Sequence, residues 1–234
     1  MSERVDLDPA FVLHTRPWRE TSLIVDVLSR HHGRLGLVAR GARRQSSALK
    51  ARLIPFQPLM LSWFGKSSLR TLHSAEWQGG DLNLRGHAVM CGFYLNELLL
   101  KLLPEGDAHE ALFDRYQTTL ATLNQPGEVE PVLRRFELDL LSALGYAQPL
   151  GHTAEGEDLC ESVRYSYQPE QGIVPAQPGI PTYLGRTLLD LAQGDLTHPP
   201  SLAEGKMLMR ALLAHYLEDK PLATRQLLID LQKL

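Results

Sequence analysis

Leu23-Ile24-Val25-Asp26-Val27-Leu28, then His31-His32-Gly33, then Leu35-Gly36-Leu37-Val38-Ala39 read as two strands at hairpin distance. β-branched residues fill the first run, and a turn ending in glycine separates it from the second. Upstream, Phe11-Val12-Leu13-His14 is a short apolar run closed by Arg16-Pro17. Downstream, Leu59-Met60-Leu61-Ser62-Trp63-Phe64 breaks at Gly65-Lys66-Ser67-Ser68, and Leu69-Arg70-Thr71-Leu72-His73 alternates apolar with polar. Short strands separated by turn signals suggest a small sandwich or barrel, and five of them in about 75 residues fit a barrel of the oligonucleotide-binding (OB) kind.

Past Gly79-Gly80 the period lengthens. Ala88 to Leu103 is apolar at helical spacing and stops at Pro104. A second helix is expected from Ala108 to about Leu123, with Asp107 as its cap. A third starts near Glu128, tolerates Pro131 in its first turn and ends at Gly145. From Tyr146 to Tyr183 the pattern is lost, apart from a hairpin between Val163 and Val174. Helical signals return over Leu184–Ala192, Ser201–Leu217 and Ala223–Leu231. The fold class expected is α+β. A barrel over residues 1–79 precedes a helical domain in two parts, 80–145 and 183–234, around an irregular insert at 146–182.

The chain has 234 residues and a formal net charge of −3. That mild acidity hides a segregation. Between Asp26 and Glu76 stand Arg30, Arg34, Arg40, Arg43, Arg44, Lys50, Arg52, Lys66 and Arg70, without one Asp or Glu. Nine of the chain's 24 Lys and Arg fall here, and none of its 27 Asp and Glu. Solvated surfaces ordinarily mix both signs, so the segregation points to a polyanionic partner, nucleic acid first. In the densest part, Arg40 to Arg52, small residues separate the cations, which suits a mobile segment lying along a phosphate backbone. A solvated loop with a charge bias is the plainer alternative. Trp18, Trp63 and Phe64 can stack on unpaired bases or pack in the core. The candidate DNA-binding residues are Arg30, Arg34, Arg40, Arg43, Arg44, Lys50, Arg52 and Lys66.

Other chemistries find little support. Gly65-Lys66-Ser67 lacks the second glycine of an ATP-binding loop, since Met60 stands at its place, and strands are expected on both sides. Cys91 and Cys160 are too few for a disulfide framework. His152 and Cys160 flank the insert without the paired spacing of a zinc site. There is no serine elbow and no His-Glu-x-x-His. No catalytic residue, metal ligand or cofactor is assigned. No apolar run approaches the roughly 18 residues of a membrane span, and Met1 to Pro9 lack a signal peptide's apolar stretch, so a cytoplasmic location is expected. On the third helix, Arg134 and Arg135 are four residues from Glu130 and Asp139. That spacing fits helical ion pairs, and it also fits an anion-binding pair beside an apolar groove.

Phe11-Val12-Leu13-His14-Thr15-Arg16-Pro17-Trp18-Arg19-Glu20-Thr21-Ser22-Leu23 resembles the opening signature of the bacterial RecO recombination mediators. Leu37-Val38-Ala39-Arg40-Gly41-Ala42-Arg43 resembles their basic segment. Tyr94-Leu95-Asn96-Glu97-Leu98, Leu133-Arg134-Arg135-Phe136-Glu137-Leu138 and Leu144-Gly145-Tyr146 follow in family order.

The resemblance implies an OB barrel, a helical domain and a zinc-finger-like insert. It implies binding of single- and double-stranded DNA, annealing of complementary strands, and help in loading the RecA recombinase onto DNA coated by single-stranded DNA-binding protein. The partners implied are RecR, possibly RecF and RecA, and the acidic C-terminal tail of the single-stranded DNA-binding protein. Arg134 maps to the arginine that would meet that tail, with Tyr116 as a pocket wall. A nucleoid-associated cytoplasmic protein is implied, with no membrane partner. Where some relatives carry four zinc-ligating cysteines, this insert has only Cys160, so it is expected to fold without metal.

The function expected is a non-catalytic mediator of DNA repair and recombination. A nucleic-acid-processing enzyme that uses the barrel as a binding module is the alternative. A scaffold whose basic loop binds an acidic protein is a third.

Overall fold

The computed structural model describes residues 4–80, 82–125, 129–146, 149–218, 220–224 and 226. The chain divides into two compact units, Met1–Asn124 with Leu222–Leu234, and Gln125–Pro221.

In the first unit, β1 (Arg4–Trp18), β2 (Ser22–Ser29), β3 (Gly33–Ala39), β4 (Leu59–Phe64) and β5 (Leu69–Trp77) close into a barrel in the order β1-β2-β3-β5-β4. Among the described strand pairs of the barrel only β3 and β5 run parallel, pairing Gly36 with Leu69 and Val38 with Thr71. β1 is long enough to serve two neighbours. Its first half pairs with β4, its second with β2, and Ala10 pairs with both Leu59 and Ser29. The bend this demands appears as two register shifts, at Val5/Asp8 and Val12/His14, as bulges do at barrel corners. Leu7 takes the left-handed backbone there, and its N–H donates to Ser62 Oγ at 3.0 Å.

Inward side chains form one core, with Ala10, Val12, Val25, Val27, Leu35, Leu37, Leu61 and Trp63 among them. Phe11, Leu13, Ile24 and Leu28, at the alternate positions, are buried as well. Two helices explain that for β1: α2 (His87–Leu102) and α3 (Glu110–Thr122). The Phe11 ring lies 5.4 Å from Phe113 and 5.2 Å from Tyr116. Asn96 on α2 donates to the Leu13 carbonyl at 2.8 Å and accepts the Tyr116 hydroxyl. Burial on both faces is why these strands read as near-continuous apolar runs.

Asp107 does not cap α3. The N-cap is His109, without a side-chain cap bond, and Asp107 instead meets the His109 ring at 3.0 Å. The Asp107 carbonyl sits where a Cβ on Gly33 would come within 2.1 Å, so the β2–β3 turn packs directly on the α2–α3 connection.

The second unit holds α4 (Val129–Ala143), the strands β6 (Arg164–Gln168), β7 (Gly172–Pro175) and β8 (Thr182–Leu184), then α5 (Gly185–Gln193) and α6 (Pro199–Leu217). The expected hairpin is β6–β7, and β8 adds on the far side of β6. A three-stranded sheet therefore occupies the stretch expected to be irregular and runs past its end to Leu184. Tyr165, Tyr167, Ile173, Val174 and Tyr183 are buried in it. α5 ends on Gly194 in the left-handed conformation, the usual C-terminal role of glycine. Of the helix expected over Ala223–Leu231, only 223, 224 and 226 lie among the described residues, and they are helical.

Candidate nucleic-acid interface

The β3–β4 connection carries the dense basic segment and is folded into turns. Arg44 N–H donates to Gly41, Ser47 N–H to Arg44 and Lys50 N–H to Ser47. A short helix, α1 (Ala48–Arg52), follows, with Lys50 and Arg52 in its last turn. Arg52 donates to the Ala75 carbonyl of β5 at 2.7 Å, which lays the segment along that strand. The segment is thus built into the barrel by hydrogen bonds, where the sequence suggested a mobile loop.

The candidate cations divide into three sets. Arg30 meets Glu110 at 2.8 Å and Asp114 at 2.9 Å, both on α3. Its hydrogen bond holds the Asp114 carboxyl below its ordinary value. Arg34 donates to the Leu103 carbonyl at 2.7 Å and faces Glu105 at 3.4 Å. These two spend their charge on carboxylates of the helical part of their own unit.

Arg43 and Arg52 bind carbonyls, which orients them without cancelling their charge. Arg43 Nη1 donates to the carbonyls of Arg19 and Glu20, each at 3.2 Å. Its N–H reaches the Thr21 carbonyl at 2.9 Å. The remaining four, Arg40, Arg44, Lys50 and Lys66, are exposed. None of them is within ion-pair distance of a carboxylate among the described residues. Lys66 sits in the β4–β5 turn, where Gly65 adopts φ 122°. Strands on both sides leave no phosphate-binding loop there.

The contacts of Arg43 bring in residues outside the acid-free interval. Trp18 ends β1, opposite Ser22. Arg19 lies over the Trp18 ring, 5.9 Å from its centroid. Arg16 is exposed on the same end of β1. Composition alone missed these, because Glu20 and Asp26 interrupt the run of cations. Of the aromatics considered, Trp63 is in the barrel core, while Trp18 and Phe64 are exposed.

Arg134 and Tyr116 are both buried, in different units. Burial pushes the Tyr116 phenol up. Arg134 is paired with Glu137, not with Glu130. Glu130 bonds Lys206 on α6. Arg135 and Asp139 do pair, at 3.4 Å. In the insert, His152 meets Asp158 at 3.1 Å, and the Cys160 sulfur is exposed, 3.4 Å from Ser162 Oγ. No three His, Cys, Asp or Glu gather as a metal site among the described residues. Among the same residues no helix is long and apolar enough to cross a membrane.

Comparison with known proteins covers both parts of the chain. Residues 1–80 match the family described as Recombination protein O N terminal, and residues 84–226 match Recombination protein O C terminal. The DNA repair protein RecO of Thiobacillus denitrificans is 50% identical over 242 residues, covering 99% of this chain and 94% of that protein. That of Nitrosospira multiformis is 50% identical, covering 99% and 98%. That of Aromatoleum aromaticum is 48% identical, covering 99% and 98%. With 99% of its length matched at that identity and an OB-like barrel leading into helices, the chain belongs to the RecO family of DNA repair and recombination proteins.

Proposed function

We propose that the chain is a non-catalytic mediator. It binds single- and double-stranded DNA on the barrel, anneals complementary strands, and assists RecA loading onto DNA coated by single-stranded DNA-binding protein, together with RecR and RecF. The observation that carries the DNA-binding reading is the exposed set Arg40, Arg44, Lys50 and Lys66, without acidic neighbours among the described residues. Arg43 and Arg52 add to it from positions fixed by backbone carbonyls.

Cations on one folded segment screen the repulsion between two phosphate backbones, so complementary bases can meet. Annealing requires no hydrolysis, and phosphate contacts give affinity without reading sequence. Arg30 and Arg34, held by carboxylates, act in this reading as tethers of the barrel to its helices.

Docking on the acidic tail of the single-stranded DNA-binding protein rests on the family resemblance. Arg134 gives Nε and Nη2 to Glu137, so a tail carboxylate would have to compete with Glu137 for the guanidinium or share it. Tyr116, a second candidate by the same resemblance, is buried in the other unit.

The test is annealing of complementary oligonucleotides, bare or precoated with single-stranded DNA-binding protein, with and without that protein's acidic tail. Annealing of bare strands that fades with salt is expected, and annealing of coated strands only when the tail is present. No acceleration of bare-strand annealing would defeat the mediator reading. Tail-independent annealing of coated strands would defeat the docking.

A further inference from the structure

We propose that Trp18 is a base-stacking platform that gives the barrel a preference for unpaired strands. The inference deepens the DNA-binding reading and rests on it. Trp18 is the last residue of β1, and 39% of it is exposed. Exposed tryptophans are common, and the built surroundings set this one apart. Arg19 follows it at φ 51°, a left-handed backbone that L residues adopt at a cost. That turn carries the Arg19 guanidinium over the indole. Three hydrogen bonds from Arg43, to the carbonyls of Arg19, Glu20 and Thr21, hold the turn in this shape. The strained β1–β2 turn and the basic β3–α1 segment are thereby one assembly. It offers a flat ring, a guanidinium over that ring, and Arg40 and Arg44 on the segment that clamps it.

The chemistry follows from this placement. Phosphates are shared by single strands and duplexes, and the duplex carries them more densely, so the cations alone give no preference for the single strand. A base can stack on an indole only when it is not already stacked within a duplex. Glu20 is the one carboxylate of the turn, and its backbone carbonyl is what Arg43 binds. Trp77 is more exposed, at 61%, and Arg52 ties its strand to the basic segment at Ala75, but it follows Glu76 and has no cation over its ring among the described residues. Phe64 precedes the Lys66 turn and has no cation over its ring among the described residues. Trp63 is enclosed in the core.

The experiment measures binding of the full chain to a single-stranded oligonucleotide and to its duplex, by anisotropy, for the unmodified protein, Trp18→Ala and Trp18→Phe. Trp18→Ala should weaken single-strand binding about five- to hundredfold. Duplex binding should change less than about twofold, with the salt dependence intact. Trp18→Phe should recover most of the loss. Equal loss on both substrates, or no loss on single strands, overturns the proposal.

A second measurement does not depend on how Trp18→Ala folds. In a Trp77→Phe background, single strands should quench the fluorescence of Trp18, with Trp63 shielded in the core. Absent quenching under saturating single strand overturns the proposal too. If the unmodified protein binds neither substrate, the DNA-binding reading itself has failed, a different result from binding without discrimination.

Discussion

Arg134 and Glu137, one helical turn apart on α4, hold each other by two parallel hydrogen bonds while buried, with 7% and 0% of their surfaces exposed. A two-pronged pair of this kind is close to neutral as a unit, but removing one member takes from a buried charge its two-pronged partner. Glu137→Ala should therefore lower unfolding stability by about 3–5 kcal/mol in urea. A loss below about 1 kcal/mol would place the pair in the weak, solvated class. The gentler Glu137→Gln separates fold from function. If Arg134 receives a partner's carboxylate, loosening its internal partner should tighten binding of an acidic peptide. A folded Glu137→Gln protein with unchanged or weaker peptide binding removes Arg134 from that role.

Arg44 is exposed and Arg43 holds the β1–β2 turn, so the two are not equivalent. Arg44→Glu should lower the log–log salt slope of single-strand binding by about 0.7, the value of one phosphate contact. Adding Arg43→Glu should remove most annealing, because it also frees the turn. A double variant with the original slope and affinity would exclude the basic segment from DNA binding.

Arg30 is committed to Asp114 and Glu110. Arg30→Ala should lower the melting temperature and leave the salt slope where it was. A reduced slope with unchanged melting would return Arg30 to the DNA-contacting set.

Glu97 supplies an acid-sensitive joint. It accepts the Ala223 and Thr224 N–H groups at 2.8 and 2.9 Å and the Thr224 hydroxyl at 2.6 Å, and it meets Lys101 at 2.9 Å. Burial pushes its carboxyl up, but the bonds from Thr224, Ala223 and Lys101 outweigh that and hold it below its ordinary value. A depressed carboxylate stabilises the fold above its unfolded value, and that stability is lost as pH falls through the folded one. Glu97→Gln should thus cost stability at neutral pH, and the difference from the unmodified protein should vanish on acidification. A gap that persists, or widens, below the unfolded value would be incompatible with this linkage.

The centres of all five barrel strands were legible because branched apolar residues fill both faces, as at Val25 and Ile24. The first half of β1 was not. Asp6, Asp8 and Pro9 argue against a strand, and only the fold shows why Asp8 belongs there: buried, it accepts the Ser29 hydroxyl and meets the His31 ring at 2.6 Å. The basic interval gave the sign of the field but not which cations are spent, since Glu105, Glu110 and Asp114 lie some 70 to 84 residues from the arginines they bind. Helical spacing suggested Glu130 for Arg134. Lys206, 76 residues away, takes Glu130 instead, leaving Arg134 to the nearer Glu137. Local pattern could offer either choice, and distant side chains made it. The arginine clamp on the β1–β2 turn was invisible for the same reason.

The cap that Glu97 places on Ala223 and Thr224 joins residues 126 and 127 positions apart. During synthesis the barrel emerges and can close early, yet this joint waits until nearly all of the intervening polypeptide has left the ribosome. Nascent chains stalled before Ala223 should therefore hold a formed barrel whose α2 carboxylate has only Lys101 as a partner, a vulnerable interval that ends when Ala223 and Thr224 emerge.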